Sequence, residues 1–465
     1  MTIKQLYTSC LAQGAYLIES EGVAAIIDPL REVEPYLAQL KAQQLNLAFI
    51  FETHFHADFV SGHVTLSEKT GAPIIFGPLA NPSYTAYIAQ DGERFKLGAC
   101  SIEVLHTPGH TMESSCYLLR DEHDVPKALF SGDTLFLGDV GRPDLAQKAA
   151  NMTQEELAGL LFDSLRNKIM PLPDDVVVYP AHGAGSACGK NLSKETFGLL
   201  GDQKKTNYAL RVNMSREEFI QEVTDGLLPS PAYFPMNVHL NKVGYPNTED
   251  IISKVQPLDA AQFEQMAQQT QAIILDVRHQ ADFSAAHIPG SIFIGLDGTF
   301  APWVGALLPT NGQPILLVTP EGREEETIIR LSRVGFDNTI GYLKGGIHTW
   351  MEANKQIDHL RAVEATAVLD LLHSHAAIFD VRKPGEYEAS HIEGVPSTPL
   401  DFIDEHLAAF PKNEPFYVHC AGGYRSVIAA SILKAKGYHQ VVDILGGFAA
   451  LKQTALPLTT TCSAS

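Results

Sequence analysis

An internal repeat in the C-terminal half constrains the fold of this chain more than any other feature of its sequence. Asp276-Val277-Arg278 followed by His287-Ile288-Pro289-Gly290 returns as Asp380-Val381-Arg382 followed by His391-Ile392-Glu393-Gly394, with the same internal spacing. Gly335-Phe336 and Lys344-Gly345-Gly346 return as Gly437-Tyr438 and Leu445-Gly446-Gly447. Two copies of one module of roughly 100 residues therefore follow each other. In each copy short β-rich runs (272–277 and 315–318; 376–381 and 416–419) alternate with helical stretches, the pattern of a parallel α/β sheet.

The segment ahead of the repeats, 227–246, carries Pro229, Pro231, Pro235 and Pro246, a density that predicts an extended linker. Before it, seven β-runs (15–18, 24–28, 47–51, 102–106, 116–119, 128–131 and 176–179) are separated by a few helices. The expected organisation is an N-terminal domain over 1–226, a linker over 227–250, and two modules over 251–357 and 358–465. A chain of 465 residues has room for domains that each bury a core, and 45% hydrophobic with 19% charged residues excludes a disordered chain. A formal charge of -20 repels nucleic acid and anionic membrane, so neither is an expected partner. Cys10, Cys100, Cys116, Cys188, Cys420 and Cys462 are too dispersed for a disulfide framework and read as reduced thiols. The first residues lack a basic segment leading into an apolar one, and no apolar run reaches about 18 residues, so the expected location is the cytoplasm.

The run 47–51 empties into Glu52-Thr53-His54-Phe55-His56-Ala57-Asp58-Phe59. Imidazoles two apart on an extended segment point the same way, and a carboxylate two residues on can join or orient them. Later strands end at Thr107-Pro108-Gly109-His110, at Ser131-Gly132-Asp133-Thr134 and at Tyr179-Pro180-Ala181-His182. This succession resembles the metallo-β-lactamase superfamily, which implies an αββα sandwich with a metal at one edge. In the dinuclear zinc hydrolases of that superfamily a histidine follows the aspartate of the first motif. Here the position is Phe59, and a phenyl ring cannot ligate a cation, which argues for one metal. The chain thus departs from glyoxalase II and resembles the persulfide dioxygenase branch. That resemblance implies His54, His110 and Asp133 as ligands of one Fe(II) per chain, because two imidazoles and a carboxylate leave positions open for substrate and O2. His56, Asp58 and His182 then orient the ligands, hold water or fix substrate, or serve as metal ligands themselves. Arg142, in Gly141-Arg142-Pro143-Asp144, either meets substrate or pairs with Asp144. Cys188, six residues after His182, is either a small buried hydrophobe or a thiol that carries persulfide near the iron.

In the second repeat the strand 416–419 runs into Cys420-Ala421-Gly422-Gly423-Tyr424-Arg425-Ser426 and then a helix. A cysteine at the mouth of a glycine-permitted loop that opens a helix is ringed by inward N–H groups, which favours an anionic sulfur. Arg425 adds a cation, and Ser426 is the expected helix cap. The module resembles a rhodanese; the arginine follows after four intervening residues, a tighter ring than the five of the protein tyrosine phosphatases. The first repeat reads Thr319-Pro320-Glu321-Gly322-Arg323-Glu324-Glu325-Glu326 at the equivalent place, with no cysteine and with carboxylates that repel an anion. It is expected to be a spacer or docking module.

Together these resemblances imply a two-station enzyme and a homo-oligomer. The first station oxidises a small thiol persulfide, of glutathione, coenzyme A, bacillithiol or another carrier that no motif selects, with O2 to sulfite. The second interconverts sulfite plus persulfide with thiosulfate plus thiol through Cys420. The rivals are a dinuclear zinc thioester hydrolase fused to a rhodanese, and a non-oxidative sulfur relay.

Overall fold

The computed structural model describes residues 1–190 and 192–460, with 148 and 149 described by their backbone alone. Cys462 and the end of the range expected for the second module lie outside the described residues. The described cysteines Cys10, Cys100, Cys116, Cys188 and Cys420 are all free thiols. No described helix is long and apolar enough to cross a membrane. The chain divides into two compact units, 1–248 with 331–335, and the remainder from 249 onward.

In the first unit six strands, β1 (Thr2–Thr8), β2 (Gln13–Ser20), β3 (Val23–Ile27), β4 (Asn46–Glu52), β5 (Ile74–Phe76) and β6 (Tyr87–Ile88), pair in that order. A second sheet contains β7 (Arg94–Leu97), β8 (Cys100–His106), β9 (Ser115–Arg120), β10 (Pro126–Gly132), β11 (Val177–Pro180) and β12 (Gly198–Leu199), again in chain order. Both sheets are mixed: β3–β4–β5–β6 and β10–β11 are parallel pairs and the rest antiparallel. The seven β-runs read from sequence are β2, β3, β4, β8, β9, β10 and β11. The others are short or lie at an edge, where the apolar signal fades.

Alternation along each strand explains the layering. Tyr16 and Ile18 of β2 pack inward with Phe51, Ile102, Tyr117, Leu119 and Phe130, so the two sheets share one core. Their neighbours Ala15 and Leu17 face the other way, under Tyr36, Leu40 and Leu66 of the helices Glu34–Ala42 and His63–Thr70. On the far side Leu118 and Leu129 lie under Ala158, Leu161 and Phe219 of helices Gln154–Ser164 and Arg216–Thr224. Sheets buried on both faces give the αββα sandwich.

The proline-rich stretch is not an extended linker throughout. Residues Phe234–Val243 form a helix with Pro235 in its first turn, where a missing N–H costs nothing. Its Asn241 is buried and donates from Nδ2 to the carbonyls of His56 and Phe59, at 2.8 Å each, and accepts the Ser61 N–H at 2.8 Å.

In the second unit β13 (Gln256–Leu258), β14 (Ile273–Asp276), β15 (Ile292–Phe293), β16 (Ile315–Val318) and β17 (Thr339–Leu343) form an all-parallel sheet in the order β13-β17-β16-β14-β15. The second repeat builds β18 (Arg361–Val363), β19 (Ala377–Asp380), β21 (Phe416–His419) and β22 (Val441–Ile444) into the parallel order β18-β22-β21-β19, with β20 (His391–Ile392) paired to a short final strand, Leu458–Thr459. The repeated motifs make the same local bonds twice. Arg278 forks onto Asp276 and donates to the Ala286 carbonyl; Arg382 forks onto Asp380 and donates to the Ser390 carbonyl. His287 and His391 each bond through Nδ1 to a carbonyl four residues back.

Candidate functional site

The ends of β3, β4, β8, β10 and β11 in the sandwich deliver Asp28, Glu52 to His54, His110, Asp133 and His182 to one edge, all buried. His54, His110 and Asp133 bring one donor atom each within 4.8 Å of one another. Nε2 of His54 and of His110 stand 3.8 and 3.4 Å from the same oxygen, Oδ2 of Asp133. Neither oxygen of the buried Asp133 carboxylate has a hydrogen-bond partner. A carboxylate so placed is costly unless a cation faces it, so the residues fit a metal ion.

Both imidazoles are held with Nε2 toward Asp133. Thr53 donates its backbone N–H to Asp28 Oδ1 at 2.8 Å and its hydroxyl to Oδ2 at 2.9 Å. With its own proton so engaged, the Thr53 hydroxyl accepts from His54 Nδ1 at 2.9 Å, which leaves the Nε2 lone pair free. His110 Nδ1 donates to the Arg142 carbonyl at 2.9 Å, with the same effect. Burial, reinforced by the imidazoles of His56, His110 and His182, holds His54 well below its ordinary pKa, in the neutral form a metal needs.

Asp28 and Glu52, which sequence reading passed over, flank His56. Nε2 of His56 stands 3.1 Å from Asp28 and 3.6 Å from Glu52. Burial alone would lower this imidazole, yet the carboxylates of Asp28, Glu52 and Asp58 outweigh it and raise the pKa to about 9. Asp28 has φ +50°, a strained backbone at a residue that grips two motif histidines. The only hint in the sequence is an aspartate closing an apolar strand.

His56, Asp58 and His182 form a second cluster, and His182 Nε2 stands 3.4 Å from Asp58 and 3.5 Å from Asp133 Oδ1. The Phe59 ring is fully buried, 4.3 Å from the His56 ring and 6.4 Å from that of His182. Cys188 is buried within reach of Asp133 and His182, and burial, with Asp58 and Asp133, pushes its thiol well above the usual range. Tyr233, from the stretch read as linker, is also buried, and burial and then the nearby Asp58 and Cys188 raise its hydroxyl. Gly141 lies so close to Asp133 that a Cβ would fall 2.0 Å from its carbonyl oxygen. Arg142 turns its side chain away from the cluster, forking onto Asp144 at 2.9 and 2.6 Å and donating to the Leu228 carbonyl at 2.6 Å.

In the second unit Cys420 is buried at the end of β21, and its Sγ accepts the Gly423 N–H at 3.1 Å. The loop is pressed from behind by Gly447, whose Cβ would lie 2.4 Å from the Cys420 carbonyl, which explains the repeated Gly-Gly. Ala421 and Gly422 form the outer turn, and Gly423, at φ +99°, opens helix Tyr424–Ala435. Ser426 does not cap that helix: Gly423 is the N-cap, and Ser426 sits one turn in, with its side chain buried. Arg425 is held bidentate by Glu386, at 2.6 and 2.8 Å. Tyr424 points away from the sulfur, its hydroxyl donating to Gly295 of the first repeat at 2.7 Å. In the first repeat the carboxylate of Glu324 fills the matching loop, accepting from the Thr319 hydroxyl at 3.2 Å and the Gly322 N–H at 3.3 Å. The chain's own anion sits where the active loop presents sulfur.

Comparisons with known proteins agree with this architecture. Residues 9–182 match the metallo-beta-lactamase superfamily model, and residues 259–353 and 364–454 each match the rhodanese-like domain model. The chain is 30% identical over 219 residues to the hydroxyacylglutathione hydrolase GloC of Haemophilus influenzae, covering 42% of this chain and 98% of that protein. It is 28% identical over 243 residues to the human mitochondrial persulfide dioxygenase ETHE1, covering 51% of this chain and 87% of that protein. A metallo-beta-lactamase structure from Staphylococcus aureus superposes with a TM-score of 0.65 at 32% identity, covering 74% of this chain and 99% of the other. The chain belongs to the metallo-β-lactamase superfamily, with an N-terminal domain that has persulfide dioxygenases among its homologues, followed by two rhodanese-like domains.

Proposed function

We propose that the N-terminal domain, 1–226, is a persulfide dioxygenase holding one iron(II) on His54, His110 and Asp133, and that the module over 358–465 transfers sulfur through Cys420. The observation that carries this reading is Phe59: its buried ring stands beside His56 where the dinuclear hydrolases place a metal-binding histidine. Bound iron(II) in a two-histidine, one-carboxylate set supplies open positions at which a persulfide sulfur and O2 meet. Asp28 and Thr53 hold the His54 tautomer, the Arg142 carbonyl holds that of His110, and Phe59 keeps water and a second cation away. His182 and Asp58 offer a proton donor and acceptor beside Asp133. The balanced reaction takes a thiol persulfide, O2 and water to the thiol, sulfite and two protons. The carrier is a small thiol such as glutathione or coenzyme A.

At the second station the Cys420 sulfur attacks the outer sulfur of thiosulfate. An S–S bond forms on Cys420, and sulfite leaves with the electron pair of the bond that breaks. The same steps reversed make thiosulfate from sulfite and persulfide. The Gly423 N–H and the helix start stabilise the anionic sulfur in either direction.

One observation favours a second reading, a glyoxalase II-like zinc thioester hydrolase. Asp58, Asp133 and His182 still converge beside the first cluster, and hydroxyacylglutathione hydrolases are among the relatives. Elemental analysis of anaerobically purified protein, with oxygen uptake on adding glutathione persulfide, decides between them. About one iron per chain with rapid uptake supports the dioxygenase; about two zincs per chain without uptake supports the hydrolase.

A further inference from the structure

The cysteine-less repeat meets the active one at the start of the sulfur-loop helix. Tyr424, the first residue of that helix, follows Gly423, whose N–H reaches the Cys420 sulfur. The Tyr424 ring leaves its own module and enters a seat built by residues 295–298 of the first repeat. Its hydroxyl donates to the Gly295 carbonyl at 2.7 Å, and the ring lies 5.9 Å from that of Phe293. A Cβ on Gly298 would stand 2.3 Å from the ring carbon that bears the hydroxyl, and one on Gly295 would stand 3.1 Å from the ring edge. A side chain at 298 would therefore have to displace the Tyr424 ring. Further along the same helix the Ser431 hydroxyl accepts the Phe293 N–H of the first repeat at 2.9 Å.

The degenerate loop of the first repeat supports the seat. Arg323, which stands where Tyr424 stands in the active copy, pairs with Asp297 between the two seat glycines, at 2.8 Å. Glu324 occupies the vacated anion cradle, so the loop is closed by its own carboxylate and free of a ligand role.

We propose that the cysteine-less repeat is a positioning partner of the sulfurtransferase site: its Gly295–Gly298 segment seats Tyr424 and so sets where the Gly423 N–H meets the Cys420 sulfur. Gly295, Gly298 and Tyr424 are positioning residues that act through the loop, without touching substrate. A Cβ at 298 displaces the ring that anchors the first turn of the helix to the other repeat, and a shift of about 1 Å at a reacting group costs as much as about 100-fold in rate.

This inference rests on the sulfurtransferase reading, so the experiment has an arm that does not. In the full-length protein, Gly298→Ala, Tyr424→Ala, Tyr424→Phe and the Gly298→Ala/Tyr424→Ala double variant are compared. The first readout is the rate at which thiosulfate loads Cys420 with one sulfur, followed by intact mass; the second is the rate of Cys420 alkylation by iodoacetamide. For Gly298→Ala the expected result is at least about a tenfold loss of loading rate at saturating thiosulfate, with KM within about twofold, and slower alkylation. Tyr424→Phe, which keeps the ring and loses one hydrogen bond, should lose about two- to fivefold. Removing the ring makes room for the added methyl, so the double variant should be no slower than Tyr424→Ala. Wild-type rates in Gly298→Ala, or single losses that add in the double variant, overturn the seat. Failure of the wild-type protein to accept sulfur defeats the sulfurtransferase reading instead, and the alkylation arm still decides the seat.

Discussion

Asp28, which no motif names, supports both histidines of the first motif. It receives Thr53 through two bonds, sets the His54 tautomer through the Thr53 hydroxyl, and stands 3.1 Å from His56. Asp28→Asn should therefore keep all three ligands yet weaken metal affinity by about 10- to 100-fold, read from the metal retained during dialysis against graded chelator. Unchanged retention would show that the His54 tautomer needs no support. Phe59→His tests the one-metal reading from the other side. With Asp58, Asp133 and His182 already converging, the variant should take up about two zinc ions per chain by elemental analysis, against about one metal in the parent. Asp443 carries a pH dependence. Burial, opposed by smaller hydrogen-bond effects, raises its carboxyl to about 6, so the folded state favours the protonated form. A carboxyl raised on folding contributes stability in acid and loses it as pH climbs from the unfolded value, 3.8, through about 6. Asp443→Asn should accordingly stabilise the protein by about 1–3 kcal/mol at pH 7.5 in denaturant melts, with the gain vanishing below about pH 4.

At the scale of elements, strand ends and helix starts present the candidate site residues, and these are the legible places. Apolar runs that stop at His, Asp or Cys can be seen without coordinates, and the buried alternation of β2 and β4 explains why their ends are held rigidly. The helix Phe234–Val243 was illegible because its prolines fall before and within its first turn, where they start a helix as readily as they break one. It carries Asn241, which fixes the carbonyls of His56 and Phe59 at 2.8 Å. Asn241→Ala leaves those buried carbonyls and the Ser61 N–H without partners. A stability loss of about 2–4 kcal/mol in urea unfolding is expected, together with reduced metal content. Ser426 was misread for a related reason. The residue type suits a cap, but the turn is made by Gly423, and a serine three residues later faces the core.

At the scale of the whole molecule, the first unit holds the candidate metal cluster and the second the Cys420 loop, and Cys420→Ser tests whether they act separately. Sulfur transfer should fall to background while oxygen uptake with glutathione persulfide stays within about twofold of the parent. An equal fall in both would mean that the stations are not independent. The sequence by itself determined the duplicated parallel module, because it is written in local periodicity and in motifs that return at the same spacing, and the layered sandwich, because its four strand-end motifs resemble one superfamily. Only the tertiary structure decided that Asp28 and Glu52 grip His56, that the Arg142 carbonyl orients His110, that Tyr233 and Asn241 come from the proline-rich stretch, and that Tyr424 sits in the other repeat. Apart from Glu52 and His56, those contacts join residues far apart in sequence through single polar contacts and close packing. No periodicity marks such pairings; they exist only once the sheets and helices have set the distances.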